Sequence, residues 1–182
     1  AAVVIANADL YDKLCSLLAD RPDIKVYAGS DALNEIVEAE SINAVLASMV
    51  GFSGLVPTIR AIKARKKICL ANKETLVVAG ELILSLIEQY HVDLLPVDSE
   101  HSAIFQCLVG EDMSAIDKLL LTCSGGPFRQ FTHEQLQQVT AADALKHPTW
   151  NMGAKITIDS ASLMNKGFEV MEARWLFGIP AE

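Results

Sequence analysis

Short stretches that read as strands recur at Val3–Ala6, Ile24–Tyr27, Ala44–Ala47 and Lys67–Leu70. Each is too short for a stable helix, and each is separated from the next by enough residues to hold one. After the first run, Leu10, Leu14, Leu17 and Leu18 fall on one helical face. After the second, Ser30 is placed to cap a helix carrying Leu33, Ile36 and Val37. Leu55–Ala64 reads as a helix with Pro57 in its first turn, and Thr75–Tyr90 as a longer one. Strands alternating with helices in this way imply βαβ units and a mostly parallel sheet. Within it, Ala44-Val45-Leu46-Ala47 is apolar enough to be buried on both faces. Ligands of such sheets sit beyond the carboxyl ends of the strands. Here those ends carry Ser48–Gly51, Ala71-Asn72-Lys73-Glu74 and Val97-Asp98-Ser99-Glu100.

The pattern changes between about Tyr90 and Asp98, where a domain boundary is expected. Beyond it, Leu119–Thr122 reads as a strand running into Cys123-Ser124-Gly125-Gly126-Pro127, and Thr132 with Gln135 forms a capping-box pattern. Periodicity disappears over Lys146–Gly153, which reads as a loop. Lys155–Asp159 alternates like a strand with one exposed face, and a last helix covers about Ser162 to Phe177.

Charge narrows the function classes. Fifteen basic side chains against 23 acidic ones give a net charge of −8, which disfavours general nucleic-acid binding. A locally cationic pocket can still take a phosphate in such a protein. No apolar run approaches a membrane span, and the first residues lack the basic segment of a secretory signal, so a cytoplasmic protein is expected. Cys15, Cys69, Cys107 and Cys123 form no CxxC pair and read as reduced, mostly buried thiols. The chain opens inside an apolar run without a starting Met and closes at Ile179-Pro180-Ala181-Glu182; both ends read as cut from something longer.

The residues with chemistry cluster at the loop ends. Asp98 and Glu100 are two apart, so extended backbone points both the same way. That pair suits a hard divalent cation such as Mg²⁺ or Mn²⁺, or equally a solvated acidic turn capping the helix from about His101. Ser160, Asn165, Lys166 and Glu169 follow one another within ten positions, with Lys166 and Glu169 on one helix face. They fit a phosphate site with a third carboxylate for the cation, or a helix cap with a surface ion pair. Ser124-Gly125-Gly126 reads as a turn whose backbone N–H groups can approach an anion closely, or as an ordinary loop. His147 reads as the polar tip of a mobile lid or an exposed loop histidine, and Lys73 as a ligand clamp or a surface charge. Taken together they suggest a metal-assisted enzyme acting on a small phosphorylated, hydroxylated substrate.

Five motifs in order then resemble one family. Leu70-Ala71-Asn72-Lys73-Glu74-Thr75-Leu76, Leu94 to Phe105, Thr122 to Arg129, His147 to Gly153 and Lys155 to Leu176 are similar to 1-deoxy-D-xylulose 5-phosphate reductoisomerases, most specifically from about residue 44 onward. The resemblance implies an NADPH- and divalent-metal-dependent conversion of 1-deoxy-D-xylulose 5-phosphate to 2-C-methyl-D-erythritol 4-phosphate, in the non-mevalonate isoprenoid pathway. It implies metal coordination by Asp98, Glu100 and Glu169, and substrate hydroxyl and metal-site contacts from Lys73 and Ser99. It assigns the phosphate to Ser124, Ser160, Asn165 and Lys166, with His147 closing over the substrate and Trp150 and Met152 in a flexible flap. Asn72, Glu74 and Gly153 fall at cofactor-contacting positions.

The fold implied is α/β: a partial Rossmann-like doubly wound sheet followed by an α+β catalytic domain. Residues 1–93 would be the later part of the NADPH-binding domain, and residues 94–182 an incomplete catalytic domain of a homodimeric parent. The family's Gly-x-Thr-Gly-x-Ile-Gly turn, which cradles the NADPH pyrophosphate, is not in this sequence. Poor NADPH binding and little turnover are therefore expected of the chain itself. Two other readings stay open: a metal-dependent sugar-phosphate isomerase or aldolase that needs no nicotinamide, and a non-catalytic truncated folding unit.

Overall fold

The computed structural model describes residues 1–180; Ala181 and Glu182, which end the predicted catalytic domain, lie outside the described residues. The chain divides into two compact units, Ala1–Val97 and Asp98–Glu182.

The first unit is α/β, as the alternation predicts. Strands β1 (Ala2–Ile5) and β2 (Lys25–Ala28) pair in parallel, with α1 (Tyr11–Leu17) between them in sequence. Strands β3 (Ala44–Ala47), β4 (Lys67–Leu70) and β5 (Leu94–Pro96) form a second parallel sheet in that order. Helices α2 (Ser30–Ile36), α3 (Leu55–Lys63) and α4 (Glu74–Tyr90) supply the connections. The core follows from spacing: α3 buries Leu55, Thr58, Ala61 and Ile62, and α4 buries Leu76, Ile83 and Leu86. Ile68 and Leu70 of β4, the central strand, are fully buried.

Three readings in this unit need correction. Ser30 is the first helical residue rather than the cap; Gly29 holds the cap position. Leu46 is 61% exposed, because β3 lies at the edge of its sheet and only Ala47 of that strand is buried. The predicted four-leucine face is shorter, because Leu10 and Leu18 are the caps of α1 and Leu17, its last residue, is 73% exposed.

The second unit is helical over its described residues. Asp98 stands at the N-cap of α5 (Ser99–Leu108). The short α6 (His133–Leu136) has the predicted capping box, Thr132 and Gln135 exchanging backbone-to-side-chain bonds of 2.8 and 3.3 Å. After α7 (Ala141–Ala144) come a loop, α8 (Ala154–Ala161), a left-handed Leu163 and α9 (Met164–Phe177).

Neither predicted strand of this unit is present. Leu119–Thr122 is irregular and pairs with no strand among the described residues. Lys155–Asp159 is helical. A five-residue alternation fits either period, and the helix satisfies polar groups that a strand would leave open. Thr157 Oγ1 donates back to Gly153 O at 2.8 Å, and Lys155 pairs with Asp159 one turn on at 2.8 Å. The four cysteines are free thiols, but Cys107 and Cys123 are exposed rather than buried. Among the described residues, no helix is long and apolar enough to cross a membrane.

A candidate metal and anion site in the second unit

The near-fully buried side chains of the second unit are polar: His101, Thr157, Glu169 and Glu172. Burying such groups is costly unless each has partners. Three of the four are acid or imidazole groups held on two helices, α5 and α9, around Asp98.

Carboxylate oxygens of Asp98, Glu100 and Glu169 lie within 4.8 Å of one another. Helix α5 presents Glu100 one position into its first turn, and α9 presents Glu169 on its second. Lys166, i − 3 from Glu169, donates to Glu169 Oε2 and to Glu100 Oε1, the latter at 3.0 Å. Asn165 Nδ2 donates to Glu169 Oε1 at 2.5 Å, and Ser99 Oγ to Glu100 Oε2 at 2.5 Å. Burial pushes the Glu100 carboxyl up, but the bonds from Ser99 and Lys166 outweigh it and hold the group below the ordinary glutamate range. Burial likewise pushes the Lys166 ammonium down, while Glu169 and Glu100 hold it above the ordinary lysine range. Both shifts favour the charged forms of Glu100 and Lys166.

The cluster's donor set fits a small hard cation. Six-coordinate Mg²⁺ with bonds of about 2.1 Å spaces its oxygens roughly 3 to 4 Å apart, so carboxylates already this close need little movement to share one ion.

Behind the cluster lies a pair that the motifs contained but sequence reasoning gave no role, His101 and Glu172. Both are fully buried. His101 Nε2 lies 2.9 Å from the Glu169 carbonyl, which only accepts, so that nitrogen carries a proton. Nδ1 lies 3.3 Å from Glu172 Oε2, and the ring stacks on Phe177. His101 thus ties the α9 backbone at Glu169 to α5, which fixes the third carboxylate against the first two. The available signal was the i, i+3 spacing of Glu169 and Glu172, which places both on one helix face.

Beside the carboxylates is a small cavity of about 40 Å³ lined by Glu100, Cys123, Ser124, Gly125, Ser160, Leu163, Asn165 and Lys166. All four residues predicted for the phosphate line it. Ser124 has a defined polarity there. His147 Nδ1 accepts from the Thr149 and Trp150 backbone N–H groups at 3.2 and 3.0 Å, which leaves the neutral ring its proton on Nε2. Nε2–H then donates to Ser124 Oγ at 3.2 Å, and Gly126 N–H donates to the same oxygen at 3.3 Å. With both lone pairs taken, the Ser124 hydroxyl proton is left to donate, which suits an anion.

The remaining predicted residues stand elsewhere. Gly153 is the N-cap of α8, with open space where a side chain would be, and Trp150 beside it in sequence is 63% exposed. Asn72, Lys73 and Glu74 belong to the first unit, at the turn from β4 into α4. Asn72 is buried, with Nδ2 donating to Gly51 O and Glu74 Oε2 at 3.0 Å each and to Met49 O. Its Oδ1 accepts from Thr75 N at 3.1 Å. That amide joins the β3 loop to the start of α4.

Two family models match the chain. Residues 1–80 match the 1-deoxy-D-xylulose 5-phosphate reductoisomerase model, and residues 94–177 match the model of that enzyme's C-terminal domain. A relative from Phocaeicola vulgatus named 1-deoxy-D-xylulose 5-phosphate reductoisomerase is 67% identical over 181 residues, covering 100% of this chain and 47% of the relative. One of the same name from Porphyromonas gingivalis is 61% identical over 96% of this chain and 45% of its own length. Among solved structures, the enzyme from Zymomonas mobilis in complex with NADPH superposes with a TM-score of 0.89 at 41% identity, over 99% of this chain and 46% of that one. A reductoisomerase in complex with NADPH, fosmidomycin and magnesium superposes at 0.88 with 39% identity, over 99% and 47%. The chain spans about half the length of the curated relatives it matches.

Proposed function

Because the chain belongs to the 1-deoxy-D-xylulose 5-phosphate reductoisomerase family, we propose that it supplies the metal- and phosphate-holding part of an enzyme making 2-C-methyl-D-erythritol 4-phosphate. One observation carries the reading: three clustered carboxylates adjoin a cavity lined by Ser124, Ser160, Asn165 and Lys166. A phosphorylated polyol needs that pairing, a hard cation for its vicinal oxygens and donors for its phosphate. The solved relatives held with magnesium, fosmidomycin and NADPH support it.

Asp98, Glu100 and Glu169 would hold Mg²⁺ or Mn²⁺, which supplies Lewis-acid stabilisation of charge on the substrate oxygens when bound. Ser99 and Lys73 contact the substrate hydroxyls. Ser124 donates its hydroxyl proton to the phosphate, with Ser160, Asn165 and Lys166 completing the shell. His147 orients Ser124 and, with Trp150 and Met152, closes the loop that excludes water over the reacting carbons.

Residues 1–93 are read as the later part of the NADPH domain, with Asn72, Glu74 and Gly153 near the cofactor, and residues 94–182 as the catalytic part. No dinucleotide glycine fingerprint is present in these 182 residues, so they do not by themselves make a pyrophosphate site. The same reading makes the whole protein a cytoplasmic homodimer.

The test is an NADPH oxidation assay on the whole protein that carries this chain. Absorbance loss that requires both 1-deoxy-D-xylulose 5-phosphate and Mg²⁺ is expected. Conversion of the ketose phosphate without NADPH consumption would replace the reading with that of a simple isomerase or aldolase.

Removing the Ser124 hydroxyl takes away one hydrogen bond to a charged group, about 1.5–3 kcal/mol. Ser124→Ala should therefore weaken fosmidomycin binding by roughly 10- to 100-fold in calorimetric titration with Mg²⁺ present, while leaving Mg²⁺ affinity unchanged.

A further inference from the structure

Lys166 belongs to two sites at once. Its ammonium bonds Glu100 and Glu169, both members of the carboxylate cluster, and its side chain also lines the anion cavity with Ser124, Ser160 and Asn165. Those roles conflict. A divalent cation would take the same oxygens that the ammonium takes, and an ammonium and a divalent cation a few ångströms apart repel strongly. The lysine can yield without unfolding anything. It stands in the first turn of α9, and its side chain is 17% exposed, on a flexible four-carbon stem.

We propose that Lys166 is a displaceable counter-cation, seated on Glu100 and Glu169 until a divalent cation takes those oxygens, and then turned into the cavity to hold a phosphate-type anion. The inference rests on the metal-and-phosphate reading above and adds a coupling to it. One side chain makes metal and anion binding mutually favourable, because the cation frees the ammonium and the anion holds it away from the carboxylates. By linkage the effect is reciprocal: each ligand raises the affinity of the other by the same factor. A cation arriving first exposes a ready donor. An anion arriving first must pull the lysine from two carboxylates.

Amine labelling tests it on the 182-residue chain. Reductive methylation is followed at Lys166 by peptide mass spectrometry, alone, with Mg²⁺, and with Mg²⁺ plus inorganic phosphate. Lys118, whose side chain is 70% exposed, is the internal reference. Mg²⁺ should raise the Lys166 rate at least fivefold relative to Lys118, and phosphate should lower it again. Mn²⁺ binding is measured separately by electron paramagnetic resonance. The uncharged variant Lys166→Met should bind Mn²⁺ about tenfold more tightly without anion, and its phosphate affinity should no longer respond to Mn²⁺. A merely structural lysine would give the opposite sign for Mn²⁺. Mn²⁺ that binds while Lys166 labelling stays unchanged overturns the displacement and leaves the site reading intact. Failure of any divalent cation to bind removes the site reading, and the inference with it.

Discussion

Glu169→Gln should abolish the stabilisation that Mn²⁺ and fosmidomycin together confer. With ligand at about 100 times its dissociation constant, the native chain gains roughly 2.7 kcal/mol, which for this size corresponds to about 5–10 °C in melting temperature. The variant should show essentially none of it. Glu169 is the most buried of the three carboxylates, and its neighbours fix both of its oxygens, Asn165 on one and Lys166 on the other. A glutamine keeps the shape and one acceptor, but it replaces an anionic oxygen with an amide that donates toward whatever cation sits there. The unliganded protein should still melt cooperatively, because Lys166 keeps Glu100 at 3.0 Å and His101 still binds the backbone carbonyl of position 169 at 2.9 Å. An equal ligand-induced shift in both proteins would show that Glu169 does not coordinate the cation.

The sequence carried the strand–helix alternation of the first unit clearly, because period and length agree there. Four-residue, mostly apolar stretches rich in Val and Ile favour strands, and Leu55, Thr58 and Ile62 share a face at helical spacing. The second unit was harder to read for physical reasons. Ile156 and Ile158 alternate with polar residues, but the choice between strand and helix was settled by the Lys155–Asp159 pair and the Thr157 back-bond, both invisible to a period count. The residues of the candidate site were legible as types at loop ends. Local spacing grouped Lys166 with Glu169 and left Glu169 as one option for the cation, but the family resemblance was needed to choose it, since no local rule brings Glu100 to Lys166 across 66 positions. His101 and Glu172 were missed because a buried acid–imidazole pair has no sequence period. Each looks like a surface residue until the two helices meet.

The glycine turn at 125–126 leads to the other large expectation. Gly126→Ala should destabilise the second unit by about 2–5 kcal/mol and cost the anion site more than the metal site. Two effects add. Gly126 has φ +68°, where an L side chain costs roughly 1–2 kcal/mol. Its Cβ would also lie 2.7 Å from the Ser160 carbonyl oxygen and 3.3 Å from Ala161 Cα. Both are backbone atoms of α8, so nothing can swing aside, and overpacking of this kind costs about 1–3 kcal/mol. The strain is relieved only if the loop moves off the end of α8, which parts Ser124 from Ser160 and opens the cavity they line. The carboxylates on α5 and α9 do not depend on that contact. The melting temperature should therefore fall by roughly 5–15 °C, and fosmidomycin affinity should fall further than Mn²⁺ affinity in the fraction that stays folded. Gly153→Ala is the control: φ there is −61° and nothing lies within 4 Å of the added carbon, so stability should change by less than about 0.5 kcal/mol. Equal losses of both affinities in Gly126→Ala would mean that the turn supports the whole unit rather than the Ser124–Ser160 apposition.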